Sequence, residues 1–197
     1  AWMIIEILRR WEPLAEHLGP DTGAHVFDLS VGYDLAGIQS EKVAGFIRAM
    51  GDASTEIERL RPGIPDLFGD LAEIEFPTTV SDSVTLSTFH GCPPDEIEAI
   101  TTHLIDDHDV DVIVKLNPTL LGLDRVREIV NAQLGYDGVV LVPTAFEEDL
   151  QFDRAISLIG GLNEYAKDRR HRFGIKLTNT LVVSNEKQWM PEDTMYL

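Results

Sequence analysis

Val112-Ile113-Val114-Lys115-Leu116-Asn117-Pro118-Thr119 and Phe173-Gly174-Ile175-Lys176-Leu177-Thr178-Asn179-Thr180 are near-copies of one pattern. Each is a short apolar run, the length of a buried strand, that closes on a lysine, a leucine and a small polar cluster. Burying a lysine is costly unless something anionic meets it. Lysines repeated at the carboxyl ends of parallel strands suit the rim of an α/β barrel, where a charged cofactor or substrate is gripped. A strand-end lysine can also snorkel to a surface acid. The Leu-x-x-Thr shared after Lys115 and Lys176 favours the first reading.

Working outward, strands are predicted over residues 25–31, 83–87, 111–116, 138–142 and 172–177. Residues 2–18 space Ile4, Ile7, Leu8, Trp11, Leu14 and Leu18 on one helical stripe, stopped by Gly19-Pro20. Further helices are predicted after Ser40, from Pro93-Pro94 to about residue 107, from Gly122 to Asn131 and over residues 150–167. The last should bury Phe152, Ile156, Ile159, Leu162 and Tyr165. Residues 54–76 hold Pro62, Gly63, Pro65 and Gly69 and read as a broken connection.

Strand and helix alternate, the signature of a parallel sheet with crossover helices. No Gly-x-Gly-x-x-Gly follows a strand, so the doubly wound dinucleotide fold lacks its fingerprint. Polar groups following several different strands suit a barrel rim. The expected fold class is therefore α/β: a partial (β/α)8 TIM barrel of parallel strands, one domain over residues 1–197, with further strands outside the segment. Ala1 falls inside a helical pattern and the chain stops at Met195-Tyr196-Leu197, so a piece of a longer polypeptide is expected.

The 197 residues, 44% hydrophobic and 25% charged, suffice for a sizeable core. A formal charge of -18 argues against nucleic acid as a partner. Cys92 is the one cysteine, so neither an internal disulfide nor a Cys-x-x-Cys metal site can form, which suits a reducing cytoplasm. No apolar run reaches the roughly 20 residues that span a bilayer, and no membrane partner is expected. The amphipathic opening carries Glu6, Arg9, Arg10 and Glu12, unlike a cleavable signal.

Leu86-Ser87-Thr88-Phe89-His90-Gly91-Cys92-Pro93-Pro94 joins a strand to a helix start. Small residues let the backbone approach a ligand, and a helix start offers N–H groups to an anion. His90 and Cys92 bring near-neutral acid–base chemistry, and a thiol at a helix start should be more acidic than a free one. Cys92 can equally be a small packed hydrophobe. Asp28-Leu29-Ser30-Val31-Gly32-Tyr33-Asp34 could line a pocket mouth or be an ordinary strand-to-helix turn. His17, His25, His103, His108 and His171 lack metal-ligand spacing and read as structural, so no metal is expected.

Residues 85–100, 114–122 and 176–180, with 27–38 before them, closely resemble the selenate reductase-like iron–sulfur oxidoreductase subunits, also labelled glutamate synthase-like. The resemblance spans about Trp11 to Leu197. It implies an FMN-type TIM barrel similar to dihydroorotate dehydrogenase and to the flavin barrel of dihydropyrimidine dehydrogenase. FAD/NAD(P) and iron–sulfur modules would follow outside this segment and act as electron-transfer partners. Lys115 matches the lysine beside the flavin ring's N1 and C2 carbonyl, where a cation favours the anionic reduced ring. Thr85 stands where the flavin barrels carry a leading asparagine, and Cys92 falls later in its loop than their catalytic cysteine or serine.

The resulting expectation is hydride exchange between FMN and a small heterocyclic substrate. Cys92 or His90 would move the proton, and Lys115, Asn117, Thr119, Lys176, Asn179, Thr180 and Ser87 would bind cofactor or substrate. Two alternatives stand beside it. Lys176 could form a Schiff base in a lyase or aldolase barrel, or the barrel could be a non-catalytic scaffold docking electron-transfer modules.

Overall fold

The computed structural model describes residues 1–18 and 27–197, apart from the side chains of Ala15 and Leu18. In chain order the elements are α1 (Trp2–Arg10), α2 (Glu12–Leu18), β1 (Leu29–Val31), α3 (Leu35–Ile38), α4 (Glu41–Gly51), α5 (Ser54–Leu60), β2 (Ser83–Ser87), α6 (Pro94–His108), β3 (Asp111–Leu116), α7 (Leu123–Arg127), α8 (Pro143–Glu148), α9 (Phe152–Asp168), β4 (Phe173–Leu177), β5 (Val182–Ser184) and β6 (Thr194–Tyr196). They form two compact units, residues 1–28 with 41–82, and residues 29–40 with 83–197.

The first unit is helical. Met3, Ile7, Ala53, Ile57 and Phe76 make its core, with Trp2 tilted against Phe76 at 5.9 Å between ring centroids. The single helix expected over residues 2–18 is two, because Pro13 has no N–H for the carbonyl of Arg9 and its ring crowds that carbonyl. Its Gly19-Pro20 stop lies outside the described residues. Residues 61–63 and 66–73 are short 3-10 turns, the broken connection that the prolines and glycines predict. An apolar hollow of about 880 Å³, walled by Trp2, Phe27, Phe46 and Phe68 among others, lies in this unit.

The second unit is a four-stranded parallel sheet in the order β1-β2-β3-β4. The α/β class with parallel strands is as expected, and among the described residues the sheet is open rather than closed into a barrel. The first strand is present as Leu29–Val31; His25 and Val26 of its predicted span lie outside the described residues. In β3 the side chains alternate. Val112, Val114 and Leu116 are buried, whereas Asp111, Ile113 and Lys115 are half-buried on the opposite face. Helices α6 and α9 pack together beside the strands. Ile97, Ile100, Leu104 and Ile105 bury the inner face of α6, each worth about 1.5–3 kcal/mol of burial. The helix ends on Asp109 in the left-handed conformation, φ 55°, whose N–H returns to the Ile105 carbonyl.

Two expectations need correction. No strand of the sheet forms over residues 138–142: β4 pairs directly with β3, and Leu141 makes only a single antiparallel bridge to Val183. Pro143, which cannot donate to a ladder, begins α8 at once. Leu141 instead joins Val126, Phe146, Leu181 and Val183 in a small core beneath the β5–β6 hairpin, which the sequence pattern did not reveal. In α9 the buried stripe is Ala155, Leu158, Leu162 and Ala166, and Phe152 and Ile156 are exposed.

Candidate functional site

Register brings the two lysines together. Ser87 of β2 stands opposite Lys115 of β3, which stands opposite Lys176 of β4. In-register neighbours project to the same side, so the three form a row at the carboxyl ends of the strands, on the face away from Val114 and Leu116. Lys115 is half-buried and Lys176, on the outer strand, is exposed. Neither ammonium group makes a hydrogen bond or ion pair with any described residue. The loops that follow are cross-tied: the Thr88 hydroxyl donates to the Lys115 carbonyl at 2.8 Å, and Asn179 Nδ2 donates to the Thr88 carbonyl at 2.8 Å. The Asn179 N–H closes the set on the Leu116 carbonyl at 2.9 Å.

Beside this row lies a hub that sequence reasoning missed, Asp149. Its side chain is 3% exposed. Oδ2 accepts from His90 Nδ1 at 2.7 Å, Thr119 Oγ1 at 2.8 Å and Asn117 Nδ2 at 3.1 Å. Oδ1 accepts from the Gly91 N–H at 2.6 Å. A buried carboxylate is tolerated when donors surround it, and here they do. Because a carboxylate oxygen accepts, the His90 proton sits on Nδ1, leaving the Nε2 lone pair towards the Thr180 hydroxyl at 3.3 Å. Tyr196 of β6 stacks on the His90 ring, 5.7 Å between centroids and 24° between planes.

The predicted site residues therefore divide. His90, Asn117, Thr119 and Thr180 converge on Asp149 directly or through His90; Ser87, Lys115 and Lys176 form the row; Asn179 ties the loops. Asn117 Oδ1 is buried without a protein partner among the described residues. Cys92 is 4% exposed, with its thiol against the Pro93 carbonyl at 3.9 Å. Burial, then the negative charges of Glu96 and Asp149, push that thiol up to about 12, reversing the expectation of an acidic thiol. The 28–34 segment is an ordinary turn at its end: Asp34 caps α3 by accepting from the Gly37 N–H at 2.8 Å.

Asp149 closes the run Glu147-Glu148-Asp149, which reads as a solvated acidic patch. The signal that singles it out is helical spacing. Ala145 and Phe146 are buried, and four residues on fall Asp149 and Leu150, also buried, whereas Glu147 and Glu148 are exposed.

Fold and site together define an α/β domain of the barrel kind, with its polar groups gathered after the strand ends. Residues 1–197 match the family described as Oxidoreductase YgfK, N-terminal TIM-barrel domain, and the chain belongs to it. It is 36% identical over a 217-residue alignment to "Putative oxidoreductase YgfK" of Escherichia coli K12, and equally to the protein of that name in strain O157:H7. Each alignment covers 100% of this chain and 20% of the relative, so the chain spans about a fifth of those proteins' length. No solved structure matches it. No helix among the described residues is long and apolar enough to cross a membrane.

Proposed function

We propose that the chain is the flavin-binding barrel domain, of FMN type, in an oxidoreductase acting on a small unsaturated heterocycle. The observation that carries this reading is the row Ser87, Lys115 and Lys176, donors on one face at the strand ends, with both ammonium groups unpaired among the described residues. That donor set fits a planar ring with carbonyl oxygens and negative charge on reduction. Bound there, the flavin supplies hydride exchange with the substrate. Lys115, half-buried, would hold the electron-rich edge of the ring, Ser87 would hydrogen-bond beside it, and Lys176 would add positive field from the next strand. His90 would hold or move the proton that accompanies the hydride. Cys92, a neutral buried thiol, would support the turn by packing.

The curated relatives extend well beyond the stretch aligned here. Further redox modules in that length, iron–sulfur clusters and FAD by resemblance, would exchange electrons with the barrel. A Schiff-base lyase is less well supported, because Lys176 lies exposed, where nothing desolvates its amine.

The test is the absorbance spectrum of the full-length protein. Oxidised-flavin bands that bleach with dithionite, together with loss of most bound FMN in Lys115→Ala, are expected. Undiminished FMN in that variant would remove Lys115 from the ring. A preparation with no flavin under any condition would leave the scaffold alternative standing.

A further inference from the structure

The surroundings of His90 restrict how it can reach a substrate. Its Nδ1 is committed to Asp149 at 2.7 Å, and Asn117 Nδ2 crowds the same nitrogen at 3.3 Å. Tyr196 stacks on the ring, and the side chain is 14% exposed. Among the described residues, the hydrogen-bond partner of Nε2 is the Thr180 hydroxyl at 3.3 Å, on the half-buried loop that follows β4.

We infer that Thr180, His90 and Asp149 form a proton relay in which the Thr180 hydroxyl, rather than the imidazole, meets the substrate. The reaction it would serve rests on the flavin reading above; the relay itself does not. A hydroxyl alone is a poor base at neutral pH and needs an adjacent general base to act. His90 supplies one because Asp149 holds the tautomer that leaves Nε2 bare. In the oxidative direction a proton leaves the substrate for Thr180 Oγ1 as the hydroxyl proton passes to His90 Nε2. The O–H bond lost is replaced by the one gained, and the imidazolium that forms lies against the Asp149 carboxylate. The reverse transfer returns the proton to the substrate. Throughout, Asp149 stays a carboxylate, so it is a positioning residue, and Thr180 becomes the catalytic candidate. The substrates such a relay suits carry an acidic C–H or N–H next to the atom that exchanges hydride.

The partners of Asp149 explain why it can do this. Four donors fix both its oxygens, and Gln151 Nε2 pins the backbone by donating to the Asp149 carbonyl at 2.8 Å and the Phe146 carbonyl at 2.9 Å. Other titratable groups near His90 are the Tyr196 phenol stacked on it, the Cys92 thiol two residues along the turn, and Lys115, whose carbonyl is tied to Thr88. Of these groups, only Asp149 forms an ion-pair contact with the ring.

The test uses the full-length protein and a probe of His90 that needs neither flavin nor substrate. Acylation of Nε2 by diethyl pyrocarbonate should quicken several-fold in Thr180→Val and return to the slow rate in Thr180→Ser, because the Thr180 hydroxyl lies on that nitrogen at 3.3 Å. An acylation rate indifferent to the Thr180 hydroxyl overturns the relay whether or not flavin is bound. The expected pattern of rates in a protein that lacks flavin would keep the relay and discard the flavin reading.

Discussion

Burial takes the Cys92 thiol out of acid–base work at neutral pH, and its pKa of about 12 gives the sign of its effect on stability. The folded value lies above that of an unfolded thiol. Its stabilising contribution is therefore fully present below about pH 8.5 and is lost as the pH climbs towards 12. Urea unfolding at about pH 7 and pH 10 should show wild type losing more stability across that interval than Cys92→Ala. Equal losses would place the thiol in water. Iodoacetamide should correspondingly leave Cys92 unmodified in the native protein at about pH 8 and alkylate it once the chain is unfolded. At this scale the sequence made His90, Lys115 and Thr180 visible because their types and neighbours are unusual. It hid Asp149, since an aspartate after two glutamates looks like solvent-facing charge until the burial of Ala145 and Phe146 is known.

Helix α6 carries the largest set of fully buried aliphatic side chains, and Leu104 is 0% exposed. Leu104→Ala should destabilise the protein by about 2–5 kcal/mol, as lost transfer energy plus a cavity. Phe152→Ala, on the exposed stripe of α9, should change stability by less than about 1 kcal/mol. Urea midpoints of the two variants check both values. β2, β3 and α6 were legible almost to the residue because punctuation agreed with periodicity: Pro93-Pro94 opens the helix and Asp109 ends it. The extra strand expected near residue 140 failed because a short apolar run has no period of its own. What decides its fate is Pro143 immediately after it and the pairing of β4 with β3, which is a long-range fact. The stripe of α9 slipped because alanines 155 and 166 carry the contact while larger neighbours face outward.

Across the whole chain, 34 acidic residues against 16 basic ones leave a formal charge of -18. Like charges held close in the compact state repel one another, and salt screens that repulsion. The thermal midpoint should therefore rise by a few degrees between very low and physiological ionic strength; a midpoint that falls would mean the surface ion pairs outweigh the repulsion. At this scale the sequence foretold the parallel α/β architecture from its alternating elements. It gave no sign of the separate helical unit formed by residues 1–28 and 41–82, because helix-period segments look alike whether they cover a sheet or one another.

The shared ownership of Asp149 bears on protein engineering. Its ligands come from the turn at His90–Gly91 and from the loop at Asn117–Thr119, while the carboxylate itself lies in the segment that leads into α9. A designer transplanting the His–Gly–Cys turn into a foreign scaffold would import an imidazole with no fixed tautomer. The smallest portable cassette is three discontinuous pieces held in register by the sheet, so recombination between homologues should succeed only where crossovers keep all three from one parent.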